Sequence, residues 1–397
     1  MGTGLFFNLP AHGHINPTLP LVKELTRRGE HIIYYNLAEF RPKIEASGAE
    51  FRPYDFSGKF LNEELDAKRN FIGLASLLLH ASEKVTEDFL SDSRAPSPDY
   101  ILHDSMCPWG KYIASYLQVK AINSTTTFVL NNDTLNQSEN ITKMVLRMAK
   151  DTGWGRTFAT VRQKHSLDRK YGCKTDLIDI FRNIEALNLV FTSQYFQPDG
   201  DALAETYSFI GPSMAERPDA PPFSLEHMLD QPLIYISLGT LAKEKLEFFR
   251  QCIQAFSGSA YNVLMAVGEK IDRAQLGDIP PNIFVESTVP QLKVLEEASL
   301  FISHGGMNSV NEALYFGVPL LLVPQQNEQA MVAKRVEQLG AGVIFPEKDI
   351  SSDILNQVER MLHDAAFSAS VQDIRSSFLE AGGYRRGADL ILSYIRG

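Results

Sequence analysis

Residues 300–312 read Leu-Phe-Ile-Ser-His-Gly-Gly-Met-Asn-Ser-Val-Asn-Glu, an apolar run that breaks at two glycines and continues as the start of a helix. Glycines permit a tight turn, and the first amides of the new helix have no partner within it, so phosphate is the natural ligand there. His304, Asn308 and Ser309 add donors, while the carboxylate of Glu312 suits sugar hydroxyls. The stretch therefore indicates a sugar nucleotide, with a ligand-free Gly-rich turn as an equally open alternative.

The composition is that of a globular protein with two domains. The chain has 397 residues, of which 44% are hydrophobic and 22% charged, and this length exceeds one ordinary core. A net charge of -10 argues against general nucleic-acid binding, and no apolar run is long enough to span a membrane. The three cysteines form no CxxC pair, so we expect no disulfide framework, no zinc site and a cytoplasmic location.

Both halves alternate short apolar runs with amphipathic helical stretches, the pattern of parallel sheets covered by helices. The strands predicted from this pattern lie at residues 4–9, 31–35, 100–102, 119–123, 233–237, 261–267, 283–285, 300–303 and 320–323. Helices are expected to begin near Ile15 and Pro108, and residues 383–395 have a helical pattern whose home domain the pattern does not give. The Pro-rich stretch 211–222 predicts a linker. The fold class is therefore α/β, with two doubly wound, Rossmann-like domains facing each other across a cleft.

A candidate base lies in the turn after the first strand, Pro10-Ala-His-Gly-His-Ile-Asn-Pro17. An imidazole can accept a proton from a hydroxyl at neutral pH, and a carboxylate can fix its tautomer. His12 is better explained as an exposed loop residue, whereas His14 could be either a base or an ordinary helix residue. Asp104 ends another predicted strand and could orient His14 or cap the helix near Pro108, and the spacing alone leaves both interpretations open. His103 should point to the opposite side.

Two further turns carry polar residues. Ser237-Leu-Gly-Thr240 follows a predicted strand and would offer amides and a hydroxyl to a second phosphate-type turn. Asp199-Gly-Asp201 has the DxD form that can hold a metal on a diphosphate, but it follows Pro198 outside any strong strand. An exposed turn explains it better, and we expect no metal requirement and no other cofactor.

Several stretches of the second half, taken together, resemble the donor-binding box of the GT-B glycosyltransferases that use UDP-sugars. They are residues 288–295, 301–312, 317–319 and 324–329. The turn at 10–17, the aspartate at 104 and the turn at 237–240 match the other landmarks of that family in the expected order. The resemblance covers nearly the whole chain and is strongest to bacterial macrolide and flavonoid glycosyltransferases.

This resemblance implies an inverting transferase in which His14 is the catalytic base and Asp104 its partner. It also implies that the C-terminal helix returns to the first domain. The predicted organisation is an acceptor-binding domain at 1–210, a linker at 211–231, a donor-binding domain at 232–382 and a returning helix at 383–397. Thr126 and Thr127 would lie near the transferred sugar or the acceptor.

The donor-binding residues implied by the resemblance fall into groups by the part of the nucleotide sugar that they would contact. Gln291 would contact the nucleoside and Glu312 the ribose. The complete set is Gly239, Thr240, Thr288, Val289, Gln291, His304, Gly306, Asn308, Ser309, Glu312, Glu328 and Gln329. Within it, diphosphate contacts are implied for Thr240, His304, Asn308 and Ser309, and sugar contacts for Glu328 and Gln329.

One departure from the family pattern concerns the nucleobase. Many members have a tryptophan that stacks on uracil where this chain has Thr288, which has no aromatic surface. We therefore expect the base to be held near Val289 and by Gln291, with tolerance of TDP- as well as UDP-sugars.

The expected partners are a nucleotide sugar, most simply UDP-glucose, and a small apolar acceptor such as a flavonoid, another phenol or a macrolide. No nucleic acid or membrane partner is expected, and the protein should be a monomer or a weak dimer. An apolar acceptor pocket could draw on Phe60, Phe71, Leu74, Leu77, Leu78, Met144, Leu146 and Met148, although helix core is the simpler fate of most of them. Two alternatives remain: an enzyme like the UDP-GlcNAc 2-epimerases, and a sugar-nucleotide-binding protein without activity.

Overall fold

Two parallel sheets, each in its own unit of the chain, form the framework of the protein. The structure is a computed structural model that describes residues 2–54, 71–130, 153–174, 178–215, 223–239, 245–347 and 350–397. Unit 1 comprises the chain up to Ser213 together with Ala381–Gly397, and unit 2 comprises Met214–Glu380. Among the described residues, no helix has both the length and the apolar character needed to cross a membrane.

Unit 1 contains a seven-stranded parallel sheet in the order β3-β2-β1-β4-β5-β6-β7. Its strands are β1 (Thr3–Phe7), β2 (His31–Asn36), β3 (Glu50–Pro53), β4 (Tyr100–Asp104), β5 (Lys120–Thr125), β6 (Leu187–Val190) and β7 (Ser208–Phe209). Its helices before the linker are α1 (His12–Arg27), α2 (Arg41–Ala46), α3 (Phe71–Ser91), α4 (Pro108–Leu117), α5 (Trp154–Tyr171), α6 (Asp179–Arg182) and α7 (Gly200–Leu203).

Unit 2 contains a six-stranded parallel sheet in the order β10-β9-β8-β11-β12-β13. Its strands are β8 (Leu233–Ser237), β9 (Asn262–Ala266), β10 (Ile283–Glu286), β11 (Ala298–Ser303), β12 (Leu320–Leu322) and β13 (Gly342–Ile344). Its helices are α8 (Leu246–Phe256), α9 (Gln291–Glu297), α10 (Met307–Phe316), α11 (Asn327–Gln338), α12 (Ile350–His363) and α13 (Ala365–Glu380).

The central strands explain why the sequence pattern predicted the fold class. Leu5, Phe6 and Phe7 of β1 are fully buried, as are Ile234 and Ile236 of β8. Continuous apolar strands of this kind require cover on both faces, which parallel sheets obtain from their connecting helices. The α/β class with two Rossmann-like units is confirmed, and all nine predicted strands are present.

Two predicted boundaries differ from the structure. Helix α1 begins at His12 rather than near Ile15, because the carbonyl of Ala11 already accepts from the amides of His14 and Ile15, each at 3.0 Å. The predicted linker includes residues 216–222, which lie outside the described residues. Its last part folds in unit 2, where a short 3₁₀ helix ends at Met228 and the Nδ2 of Asn262 donates to the Met228 carbonyl at 3.1 Å.

The C-terminal helix α14 (Gly383–Arg396) packs against α1 in unit 1. Gly387 allows the close approach, since a Cβ there would lie 3.0 Å from Ile210 Cδ1 and 3.3 Å from Leu21 Cδ1. An ion pair between Arg28, the residue after α1, and Asp389 of α14 links the two helices. The last helix of the chain is therefore part of the first unit.

Each sheet has one point where the winding of the chain reverses, between β1 and β4 in unit 1 and between β8 and β11 in unit 2. The strands on either side pair directly, with Phe7 beside His103 and Ser237 beside Ser303. In open α/β sheets, ligands bind beyond the carboxyl ends of the strands at such a point. The site residues should therefore follow these four strands.

Candidate active site

The first candidate site begins at the carboxyl end of β1, where a buried asparagine holds the start of α1. Asn8 is fully buried, and its Nδ2 donates to the carbonyl of His14 at 3.1 Å and to Thr18 Oγ1 at 3.2 Å. Asn36 Nδ2 in turn donates to the Asn8 carbonyl at 3.2 Å. These bonds fix the first turn of α1, whose cap residue Ala11 supplies no side-chain hydrogen bond. Sequence reasoning missed Asn8, for which the only signal was one amide within an apolar run.

The structure brings His14 and Asp104 together. His14 Nδ1 lies 2.8 Å from Asp104 Oδ2, and the exposed fraction is 13% for the histidine side chain and 0% for the aspartate. Because a carboxylate only accepts hydrogen bonds, Nδ1 carries the proton and the lone pair of the neutral ring is on Nε2. A histidine in this tautomer is suited to accept a proton at Nε2.

The contacts of Asp104 distinguish between the two interpretations that the sequence left open. Its Oδ1 accepts from the backbone amide of Met106 at 2.8 Å, while Oδ2 faces the imidazole. Helix α4 is capped instead by Cys107, which makes no side-chain capping bond. Asp104 is therefore not the cap of this helix, and its carboxylate is held in place by one backbone amide and directed at His14.

Thr126 is a second neighbour of the same imidazole nitrogen. Its Oγ1 lies 3.1 Å from His14 Nδ1, and the residue is 3% exposed. It follows β5, which pairs with β4 so that Ser124 is the register partner of Asp104. Among the described residues, the hydroxyl of Thr127 has one hydrogen-bond partner, the Phe128 carbonyl at a long 3.4 Å. Of the two threonines, Thr126 is therefore the one whose hydroxyl lies within hydrogen-bond distance of the candidate base.

The other histidines near this point have different surroundings. His12 is exposed and meets the ring of Phe40 edge-on, with centroids 5.0 Å apart. His103 is fully buried and its Nε2 lies 3.1 Å from Glu185 Oε1, away from His14. Burial raises the pKa of Glu185, but the hydrogen bond from His103 and the nearby charge of Lys111 outweigh it and leave that pKa lowered. A fully buried ring cannot reach a substrate hydroxyl, so this second pair is structural.

The second candidate site lies at the carboxyl ends of β8 and β11. Gly305 has a φ of +82°, a conformation that favours glycine, and Gly306 caps α10 without a side-chain bond. Because glycine has no side chain, Gly306 cannot cap the first amides of α10 with one. A helix start that binds an anion uses such amides as donors. Asn308 and Ser309, both partly buried, lie in this first turn.

The His304 ring is enclosed between two glycines. An added Cβ would lie 2.7 Å from its Cε1 at Gly239 and 2.6 Å from its Nε2 at Gly306, so both positions must lack a side chain. Burial lowers the pKa of His304 to about 4, against the smaller opposing effect of its hydrogen bond with the Ser237 backbone. Its buried Nδ1 has no hydrogen-bond partner among the described residues. The ring is therefore neutral at pH 7 and offers a polar atom rather than a charge.

Gln291 and Glu312 lie side by side, although the chain separates them by a strand and a turn. Gln291 is the first residue of α9, and its Nε2 donates to Glu312 Oε2 at 2.6 Å and to Ser309 Oγ at 3.3 Å. Glu312 is 5% exposed. The residues that the resemblance assigned to the nucleoside, the ribose and the diphosphate thus form one hydrogen-bonded group.

The remaining predicted donor residues have varied surroundings. Thr288 is exposed and Val289 partly buried after β10, and Glu328 is exposed in the first turn of α11. Gln329 is buried, and its Oε1 accepts from the amides of Gln325 at 2.8 Å and Gln326 at 3.1 Å. That oxygen caps α11, so only the amide nitrogen remains for a sugar. Thr240 lies outside the described residues.

The residues predicted to line the acceptor pocket fall partly within and partly outside the described residues. Phe60, Met144, Leu146 and Met148 lie outside the described residues, as does the side chain of Phe71. Leu77 and Leu78 are buried in α3, and Leu78 belongs to the core of unit 1 with Leu74 packed against it. These leucines are therefore part of the helix packing.

The DxD sequence forms an exposed turn. Asp199 has a φ of +54° and precedes the four-residue helix α7, and Asp201 Oδ1 accepts from Gln194 Nε2 at 2.8 Å. No group of three or more histidine, cysteine or acidic side chains arranged for a metal occurs in the part of the chain that the structure describes.

Comparisons with known proteins identify the family and the fold of this chain. Residues 258–381 fit the family described as erythromycin biosynthesis protein CIII-like, C-terminal domain. The chain is 34% identical to the NDP-glycosyltransferase YjiC of Bacillus licheniformis, covering 98% of this chain and 96% of the relative. It is 32% identical to the uncharacterized UDP-glucosyltransferase YojK of Bacillus subtilis, covering 100% and 98%. The crystal structure of CalG4, the calicheamicin glycosyltransferase, superposes with a TM-score of 0.83 at 30% identity, covering 100% of this chain and 98% of that one.

The two Rossmann-like units and these matches define a glycosyltransferase of the GT-B fold, which transfers a sugar from a nucleotide sugar to an acceptor. The chain belongs to family 1 of these enzymes, the UDP-glycosyltransferases.

Proposed function

We propose that the protein catalyses the inverting transfer of a hexose, glucose in the simplest case, from UDP-glucose to a hydroxyl of a small apolar acceptor. Flavonoids, other phenols and macrolides are the proposed acceptor classes. The observation that carries the proposal is the pairing of His14 Nδ1 with Asp104 at 2.8 Å, which leaves the lone pair on Nε2. The CIII-like match and the similarity to a calicheamicin glycosyltransferase support an apolar natural-product acceptor.

In the proposed reaction, His14 Nε2 takes the proton of the acceptor hydroxyl as its oxygen attacks the anomeric carbon. The bond between that carbon and the phosphate oxygen breaks, and the nucleoside diphosphate leaves with the electron pair. Asp104 stabilises the imidazolium that forms, as the carboxylate does in a Ser-His-Asp triad. A single displacement of this kind inverts the anomeric configuration.

The growing charge of the leaving group would be met by the start of α10. Its amides follow a cap residue without a side-chain bond, and the helix dipole places partial positive charge there. His304 and, from the resemblance, Thr240 would add uncharged donors. We therefore propose that transfer needs no metal ion. A chelator that abolishes turnover, with restoration by magnesium or manganese, would contradict this.

We propose that the protein accepts sugar nucleotides with more than one nucleobase, unlike family members that have a stacking tryptophan. Thr288 is exposed and has no aromatic ring, so selectivity for uracil would rest on Val289 and Gln291. The relative named NDP-glycosyltransferase supports this tolerance. Comparable rates with UDP-glucose and TDP-glucose are expected, and strict dependence on UDP-glucose would contradict this tolerance. We also propose a cytoplasmic location, in keeping with three cysteines that are all free thiols.

The test is a mass-spectrometric screen of UDP-, TDP- and GDP-glucose against a flavonoid, a simple phenol and a macrolide. We expect a product heavier than the acceptor by one hexosyl unit, with an inverted anomeric centre by NMR. A 2-epimerase would change the sugar nucleotide without making any heavier product, and a binding protein would leave both substrates unchanged.

A further inference from the structure

One tyrosine reaches the donor residues of unit 2 from inside the core. Tyr235 of β8 is 1% exposed, and its ring stacks on Phe301 of β11 with centroids 4.6 Å apart. These two residues are register partners in neighbouring strands. The Tyr235 hydroxyl donates to Oε1 of Gln291 at 3.2 Å. A buried tyrosine hydroxyl needs a hydrogen-bond partner, and here that partner is a predicted nucleoside contact.

The amide of Gln291 is held in one orientation from both ends. Its Nε2 faces Glu312 Oε2 at 2.6 Å, and a carboxylate can only accept a hydrogen bond. Its Oε1 faces Tyr235, whose hydroxyl is the donor. Rotating the amide by half a turn would set its oxygen against the carboxylate, so the network itself assigns the orientation.

The same network gives a direction to the Ser309 hydroxyl. Gln291 Nε2 also donates to Ser309 Oγ at 3.3 Å, which leaves the proton of that hydroxyl to be donated elsewhere. Ser309 lies in the first turn of α10, where an anion is expected. Tyr235 therefore donates to Gln291, and Gln291 donates to Ser309. Hydrogen bonds linked in this way polarise one another.

We propose that Tyr235 is a positioning residue for donor binding. Its hydroxyl fixes the Gln291 amide, which in turn holds Glu312 and leaves Ser309 a donor toward the diphosphate. This inference rests on the proposed function, since it takes the ligand of these residues to be a nucleoside diphosphate. Tyr235 itself makes no contact with the ligand.

The experiment compares wild type, Tyr235→Phe, Gln291→Ala and the double variant by calorimetric titration with UDP. Tyr235→Phe should weaken binding about 2- to 10-fold, the effect of one ordinary hydrogen bond. In steady-state assays its donor KM should rise while kcat stays within about 2-fold, because the lost interaction is made equally in the ground and transition states. The double variant should bind UDP no more weakly than Gln291→Ala, since Tyr235 acts through that residue.

Tyr261→Phe is the matched control, because it removes a tyrosine hydroxyl from the same unit, at a residue that is 8% exposed and outside the network. It should leave UDP binding unchanged. Additive effects of Tyr235→Phe and Gln291→Ala, or a loss confined to kcat, would overturn the positioning role. If wild type binds UDP without transferring sugar, the proposed function fails while the titration still decides the role of Tyr235. A wild-type chain that does not bind UDP overturns both.

Discussion

Asp104 directs one carboxylate oxygen at His14 Nδ1, 2.8 Å away, while its other oxygen accepts the Met106 amide. The carboxylate is completely buried and the imidazole is 13% exposed. The backbone therefore orients the aspartate, the aspartate orients the histidine, and the histidine presents Nε2 as the basic atom. Each of these relationships can be tested separately.

Replacing His14 by alanine should lower kcat by about 100- to 10,000-fold, because the acceptor would lose its general base. Initial rates on a phenolic acceptor measure the effect, and titration with UDP should show unchanged donor binding. His12→Ala is the matched control, since His12 lies two residues earlier in the chain, is exposed and has its ring against that of Phe40. Near-normal turnover of His14→Ala would reject His14 as the base.

Asp104→Asn preserves the shape of the side chain but can turn an NH₂ group toward His14 Nδ1, which favours the wrong tautomer. We expect kcat to fall by about 100- to 10,000-fold with donor affinity unchanged. Single-turnover rates across pH measure the loss. Glu185→Gln alters the pair that Glu185 forms with the buried His103 in the same unit and should lower the melting temperature rather than kcat. Equal effects of the two variants on kcat would contradict a special role for Asp104.

Thr126→Val removes the hydroxyl that lies 3.1 Å from His14 Nδ1 and keeps the branched shape. If the hydroxyl positions the base, kcat should fall about 2- to 10-fold while the KM for UDP-glucose stays constant. If instead Thr126 contacts the transferred sugar, as the resemblance implied, that KM should rise. Thr127→Val serves as the control and should change neither constant.

Protonation of His304 should make unit 2 less stable in mild acid. Its folded pKa is about 4, whereas the unperturbed value is 6.5, because burial disfavours the imidazolium. Between these pH values the unfolded chain binds more protons, so the free energy of unfolding falls as pH decreases from 6.5 to 4, by at most about 3 kcal/mol. Urea unfolding at pH 7 and pH 5 measures the change.

His304→Asn should remove most of this pH dependence, while His363→Asn, at an exposed position in the same unit, should retain it. Saturating UDP should also reduce the loss at pH 5, since a bound diphosphate favours the imidazolium. If the free energy of unfolding changes equally with pH in wild type and His304→Asn, another group causes the change.

The sequence predicted the parts of the fold that arise from local pattern. Buried strands such as β8 and β11 are continuous apolar runs, and the Gly-rich turn at His304 follows one of them. Strands β3, β6, β7 and β13 were not predicted. None is longer than four residues, and β3 ends at Pro53, so none shows enough of an alternating pattern to be recognised.

The candidate site was predictable as separate residues but not as contacts. The pairing of His14 with Asp104 requires β1 and β4 to be neighbours, although the whole of β2 and β3 lies between them in the chain. Tyr235 has the sequence signature of a core residue, and only the register of its strand shows that its hydroxyl meets Gln291. The Oε1 of Gln329 caps α11, a local arrangement that the Gln326-x-x-Gln329 spacing permits but does not require.

The glycine beside the His304 ring offers the most selective test of the donor site. Gly239 has a φ of +66°, and a Cβ there would lie 2.7 Å from the imidazole Cε1. Gly258 has a φ of +68° in the same unit, but a Cβ there would meet nothing within 4 Å. Alanine at either position should cost about 1–2 kcal/mol of stability through the backbone alone.

Only Gly239→Ala must also displace the His304 ring, which lies at the start of the proposed diphosphate site. We therefore expect Gly239→Ala to lose at least as much stability as Gly258→Ala in urea unfolding, and Gly239→Ala alone to bind UDP more weakly, by about 10-fold or more, the equivalent of one charge-assisted hydrogen bond. Calorimetric titration with UDP at a temperature well below both melting points makes the comparison. Equal UDP affinity in the two variants would mean that the His304 ring and its glycine neighbours serve the packing of unit 2 and not the donor.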